Sequence, residues 1–148
     1  MSKPAKSNNG SSIDLRKRCK GLFCRYFALP IETPEDWDDY DDIRWYLAHE
    51  NVSVFIEEGV WYLKIKNKCR YLSEKNFECQ ICDKRPNICR YYKPVNCDFA
   101  NGDYGYDLCF EDDQQTEVYM GIKFPKKAAK KFGWSRWKMK GAYNIKCF

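Results

Sequence analysis

At 148 residues the chain has the length of one domain, and its 44% hydrophobic and 17% aromatic content is too high for a disordered protein. Charged residues, 32% of the total, interrupt every apolar run well short of the roughly 20 residues that span a bilayer. The polar start from Met1 to Gly10 is unlike a secretory leader, so the expected location is cytoplasmic, without membrane contact. The formal charge of +5 is unevenly placed: residues 123–146 hold nine Lys and Arg and no acid, and the remainder is mildly acidic.

In chain order, residues 1–12 are small and polar and are expected to form a disordered leader. A body over 13–122 and a basic, Trp-containing tail over 123–148 follow. The aromatic-rich stretch from Leu22 to Leu29, stopped by Pro30, reads as a buried strand or extended segment. Thr33-Pro34-Glu35-Asp36 is a helix-start signature with Thr33 as cap. Trp37, Tyr40, Ile43 or Arg44, and Leu47 recur at helical spacing, which predicts a helix from Pro34 to His49. Seven acids between positions 32 and 42 suit the opening of that helix, where carboxylates complement the helix dipole. His49, the only histidine, falls at its far end and reads as a cap or polar contact.

Val52, Val54 and Ile56 alternate, as do Trp61, Leu63 and Ile65. Glu57-Glu58-Gly59 between them predicts a β-hairpin with a three-residue loop, Gly59 supplying the positive φ. After Lys68 the pattern is irregular. Pro86 opens a short helix to about Tyr92, and Asp112 caps a longer one to Lys123. Beyond Pro125 the chain is Lys-rich, carries Trp134 and Trp137, and is broken by Gly133. The expected fold is a small α+β single domain with one β-hairpin, a few helices and irregular cysteine-rich loops held by a metal.

Nine cysteines stand against one histidine, so any metal site must be mostly thiolate. An odd count excludes complete internal disulfide pairing, and a reducing compartment favours thiols. Cys69, Cys79, Cys82, Cys89 and Cys97 crowd into one stretch, with Cys19 and Cys24 upstream. Cys79-x2-Cys82 has the spacing of a metal knuckle. Neither the ferredoxin cysteine run nor the His pair of a Cys2His2 finger is present, so the spacing leaves zinc and iron both open. Cys109 and Cys147 lie apart and read as spectators.

Cys69-Arg70-Tyr71-Leu72, then Cys79, Ile81, Arg85-Pro86, Cys89-Arg90 and Tyr92, resembles the signature of the YkgJ-like cysteine-cluster family. The upstream Cys19, Phe23-Cys24-Arg25-Tyr26-Phe27, and the stretch Arg44-Trp45-Tyr46-Leu47 with His49-Glu50, extend the likeness over about residues 19–107. It departs at Phe23, where the family often has a cysteine, and at Cys82, where it often has an aromatic. The resemblance implies a zinc- or iron-chelating domain with the ligand set Cys19, Cys24, Cys69, Cys79, Cys89 and Cys97. Six ligands exceed one tetrahedral ion, which leans toward an iron–sulfur cluster over zinc. Arg70, Arg85 and Arg90, with the extra thiol Cys82, would lie beside the ligands. The arginines would offset the thiolate charge, and Arg85 would donate to carbonyls that orient the loop.

Phosphate-loop, GxSxG, HExxH and nucleotide-binding fingerprints are all missing from the sequence. The leading expectation is therefore a cytosolic protein holding an iron–sulfur cluster or zinc on cysteine thiolates, with an unidentified protein partner possible. One alternative is a metal-dependent protein-modification or redox enzyme, since flagellin lysine methylases carry a related domain. Another is a zinc-stabilised nucleic-acid-binding module that uses the basic tail.

Overall fold

The computed structural model describes residues 17–93 and 105–133. Its elements are β1 (Phe27–Ile31), α1 (Trp37–Leu47), β2 (Val52–Glu57), β3 (Val60–Ile65), α2 (Asn87–Tyr91), β4 (Leu108–Phe110), α3 (Asp113–Lys123) and α4 (Pro125–Phe132). Single 3-10 turns occur at Leu22–Cys24 and Cys82–Lys84. The fold class is α+β. The chain divides into two compact units, each made of two separate segments. Of the described residues, one unit takes 26–67 and 105–133 (the sheet unit) and the other 17–25 and 68–93 (the cysteine unit). Among the described residues no helix is long and apolar enough to cross a membrane.

In the sheet unit the strand order is β1-β3-β2-β4, every neighbour antiparallel. β1 and β2 therefore run parallel, with α1 between them in sequence and β3 between them in space, a split β-α-β arrangement. The core forms where one sheet face meets the helices: Val54, Trp61 and Phe110 pack with Tyr40, Ile43, Leu47, Met120 and Ala128. Val52, Ile56 and Leu63, on the same alternation, pack against that cluster. The register Glu57↔Val60 leaves only Glu58 and Gly59 in the hairpin turn, at φ 50° and 78°. This two-residue, type I′-like turn replaces the expected three-residue loop. Two successive positive φ values match the right-handed twist of the paired strands.

The expected helix from Pro34 to His49 is shorter at both ends. Asp36, not Thr33, is its cap: the Asp36 carboxylate accepts from the Asp38 and Asp39 N–H groups, and Asp39 accepts in return from the Asp36 N–H. This reciprocal capping box satisfies more of the helix's unpaired donors than Thr33 could from three residues upstream. Trp37, Tyr40, Ile43 and Leu47 are its buried stripe, so Ile43 rather than Arg44 takes the apolar position. Arg44 pairs with Asp41 and with Glu117 of α3, and Lys131 of α4 reaches Asp41 at 2.8 Å. Asp41 is thus spent inside the fold, while its neighbours on the acidic stretch stay in solvent. His49 lies beyond the helix, with Nδ1 2.8 Å from the Trp45 carbonyl, a polar contact at the surface.

α3 begins at the expected Asp112 cap, whose carboxylate accepts from the Gln115 N–H. The chain does not become a free tail after Lys123. Pro125 opens α4, Ala128 is buried, and Gly133 closes the helix at φ 64°. Trp134, Trp137 and the rest of the basic stretch lie outside the described residues, as does the expected leader over residues 1–12.

Candidate metal centre

The cysteine unit has little of what stabilises the sheet unit. Among its described residues Leu72 is the one buried hydrophobic side chain, and the one strand pairing is an isolated bridge between Leu72 and Cys79. The expected strand from Leu22 to Leu29 starts only at Phe27. Leu22–Cys24 instead form a 3-10 turn, entered through Gly21 at φ 66° and closed by the Cys24 N–H on the Gly21 carbonyl.

Local contacts bring the sulfur-bearing residues together. The Cys69 N–H donates to the Cys24 carbonyl at 2.7 Å, which sets these two residues side by side. The Leu72 N–H returns to the Cys69 carbonyl, and the Leu72–Cys79 bridge carries the chain back past it. Phe23 stacks on Tyr92 with ring centroids 3.7 Å apart, which holds the end of α2, and so Cys89, near the Cys24 turn. Arg25 donates through both terminal nitrogens to the Glu74 carboxylate and through Nε to the Lys20 carbonyl, and Lys68 also pairs with Glu74. Arg25 and Lys68 hold the Glu74 carboxyl down at about 2.

Electrostatics identify which thiols share one neighbourhood. The Cys24 thiol is pushed up to about 11, first by burial and then by repulsion from Cys69, Cys79 and Cys89, with Arg25 opposing. Cys24 and the three cysteines that act on it are four of the six implied ligands. Cys19 is half-buried near the start of the unit and is not among the residues that shift Cys24. Cys97 lies outside the described residues, as does Cys147. The exposed Cys82 thiol donates to the Cys79 carbonyl at 3.3 Å and is also absent from the Cys24 neighbourhood. Its knuckle spacing is real, but its sulfur turns back on its own loop. Cys109, expected as a spectator thiol, is buried on β4 in the sheet unit and is disulfide-bonded.

The arginines divide their roles differently from expectation. Arg90 orients the loop: its Nε donates to the Arg85 carbonyl at 3.1 Å and its Nη2 to the Asp83 carbonyl at 2.7 Å. Arg85, expected in that role, has a buried Nε without a hydrogen-bond partner. The cation that favours the Cys24 thiolate is Arg25, which the sequence reading passed over. Its position next to Cys24 in the chain was the available signal.

The donor chemistry suits a soft ion: four thiols, one of them half-buried and raised, beside a fixed guanidinium. Among the described residues, no three Cys, His, Asp or Glu side chains are close enough to enclose an ion as they stand. The thiols are gathered, therefore, but not drawn in to ligand distance. Comparison with protein-family models, with curated proteins and with solved structures finds no match.

Gly21 is a sensitive point of this scaffold. A Cβ there would lie 2.8 Å from Leu72 Cδ1, and the backbone is already at positive φ. Leu72 is the buried apolar side chain among this unit's described residues. Gly21→Ala is expected to destabilise the cysteine unit by about 1–3 kcal/mol through strain and overpacking. Urea titration followed by proteolysis within residues 68–93 measures this, and an unchanged midpoint would show that the Gly21–Leu72 contact is unimportant.

Proposed function

We propose that the cysteine unit is a thiolate metal-binding module in which Cys24, Cys69, Cys79 and Cys89 hold zinc or an iron–sulfur cluster. One observation carries this reading: these four thiols share a neighbourhood in a unit whose described residues include a single buried apolar side chain. A chain segment with so little core needs another source of stability, and a bound metal is a standard one. The resemblance to the YkgJ-like family points the same way, and these four residues belong to the ligand set it implies.

Four thiolates suffice for either occupant, so the surplus of ligands that leaned toward iron–sulfur carries less weight here. Zinc would supply a structural crosslink, whereas a cluster would supply one-electron chemistry. The residues themselves position and balance the thiolates. Arg25, anchored on Glu74 and the Lys20 carbonyl, offsets thiolate charge at Cys24, and Arg90 sets the loop that leads into Cys89. Burial and the neighbouring thiols push the Cys24 thiol up, so metal uptake would release protons and weaken as pH falls.

The test is anaerobic purification of the untagged chain, with zinc, iron and acid-labile sulfide measured per chain. Stoichiometric zinc, or iron with sulfide and a brown chromophore, is expected. Serine at Cys24, Cys69, Cys79 or Cys89 should abolish retention, whereas Cys82→Ser should retain the metal. A metal-free wild-type protein after growth with added iron and zinc would overturn the proposal. So would retention by all four variants.

A further inference from the structure

The sheet unit uses some of its C-terminal lysines internally and leaves others without partners. Lys123 Nζ donates to the Tyr40 hydroxyl at 2.8 Å, and Lys131 Nζ pairs with Asp41 at 2.8 Å. Lys126, Lys127 and Lys130 of α4 are exposed and make no ion pair among the described residues. At about 100° per residue these three fall within one sector of the helix, opposite Ala128 and Phe132. Ala128 is buried, and Phe132 packs against Trp37 and under the Arg44 guanidinium.

The placement is unfavourable for the helix itself. The first turn of α4 holds two lysines and no acid, although cations are disfavoured at a helix N-terminus. No internal contact of Lys126, Lys127 or Lys130 offsets that cost. Local rules broken without an internal compensation are characteristic of functional surfaces. In the sequence the same character continues: residues 123–146 contain nine bases and no acid.

From this we infer that the outer face of α4 docks the phosphate backbone of a nucleic acid, with Lys126, Lys127 and Lys130 as its contacts. Unpaired ammonium groups on one helix face act as point charges toward phosphates without reading base edges. A shallow depression lined by Phe124, Pro125, Lys126 and Lys127 adds an apolar floor beside the charges, suited to a sugar or base face. An anionic bilayer is the poorer partner. A helix that lies in a membrane must offer it an apolar face, and the apolar face of α4 is committed to the core. The inference is independent of the metal proposal, because α4 and the four proposed ligands belong to different units.

The test uses the full chain as purified, with fluorescence anisotropy of labelled single-stranded and duplex oligonucleotides at salt from about 50 to 200 mM. Binding should weaken steeply with salt. Replacing Lys126, Lys127 and Lys130 together by Gln should weaken binding about tenfold or more at 50 mM, and reduce the log–log salt slope by about 2–3. Replacing the three by Arg should restore both. A charge-matched control, Gln at Lys66, Lys75 and Lys93, should leave the slope near wild type. Circular dichroism checks that α4 persists, since Gln and Lys have similar helix propensity. The inference fails if the wild type does not bind at low salt, or if the α4 triple variant keeps the wild-type slope. It also fails if the control loses as much, or if vesicles containing phosphatidylserine bind more tightly than either oligonucleotide.

Discussion

Chelation is expected to unfold the cysteine unit of this protein and leave the sheet unit folded. By analogy with zinc-finger peptides, a structural zinc contributes about 10–16 kcal/mol, as much as the entire stability of about 5–15 kcal/mol typical of a folded domain. On the proposed reading the cysteine unit depends on such a term, because Leu72 is its single buried apolar residue among those described. The sheet unit does not, since Tyr40, Val54, Phe110 and Met120 are 0–1% exposed in a core that contains none of the four proposed ligands. Stripping the metal should therefore open residues 68–93 to trypsin, which has sites there at Lys75, Lys84 and Arg90, while residues 26–67 stay protected. Tryptophan fluorescence should barely respond, because all described tryptophans (Trp37, Trp45 and Trp61) belong to the sheet unit. Unchanged protection of residues 68–93 in the chelated protein would show that no bound metal holds that unit together.

How far the sequence revealed this arrangement depended on whether the deciding interaction was local. The stripe Trp37, Tyr40, Ile43 and Leu47 is a periodic signal, and α1 follows it. Its start moved because the Asp36–Asp39 exchange is a matter of side-chain geometry that the signature read at Thr33 does not reveal. The hairpin was legible from its alternation, but its loop lost a residue because Glu58 joins Gly59 at positive φ, a conformation costly for most side chains. α4 went unread because only Ala128 and Phe132 mark its inner face, against four lysines in eight residues. β4 went unread because a three-residue strand has no periodicity, and its pairing with β2 crosses a long separation.

For the cysteines, spacing proposed a grouping that the local geometry does not follow. It marked Cys79 and Cys82 as a pair, whereas the structure groups Cys79 with Cys24, Cys69 and Cys89 and turns the Cys82 thiol onto a carbonyl. Parity excluded only complete disulfide pairing, and Cys109 is in a disulfide. Arg25 was missed for a related reason: its effect on Cys24 depends on anchoring by Glu74, a residue 49 positions away.

Phe110→Ala should have the opposite effect to chelation. Phe110 is fully buried, stacks beside Trp61 with centroids 6.1 Å apart, and meets Tyr119 edge-on at 5.3 Å. It is also the residue through which the returning chain rejoins the sheet, paired with Val54 at the end of β4. β4 has only three residues, so its ladder alone holds it weakly, and the ring supplies much of the attachment. Truncation is expected to cost about 3–5 kcal/mol, the range for removing a buried phenyl group. In a unit of this size that corresponds to a fall of about 12 °C or more in the Tm reported by tryptophan fluorescence. Metal content per chain below that transition should stay at the wild-type value, because Phe110 contributes nothing to the environment of Cys24, Cys69, Cys79 or Cys89. A loss under about 1 kcal/mol would mean that the core tolerates an empty site there, and that β4 is held by something other than this ring. Loss of metal together with the sheet transition would mean that the two units unfold as one.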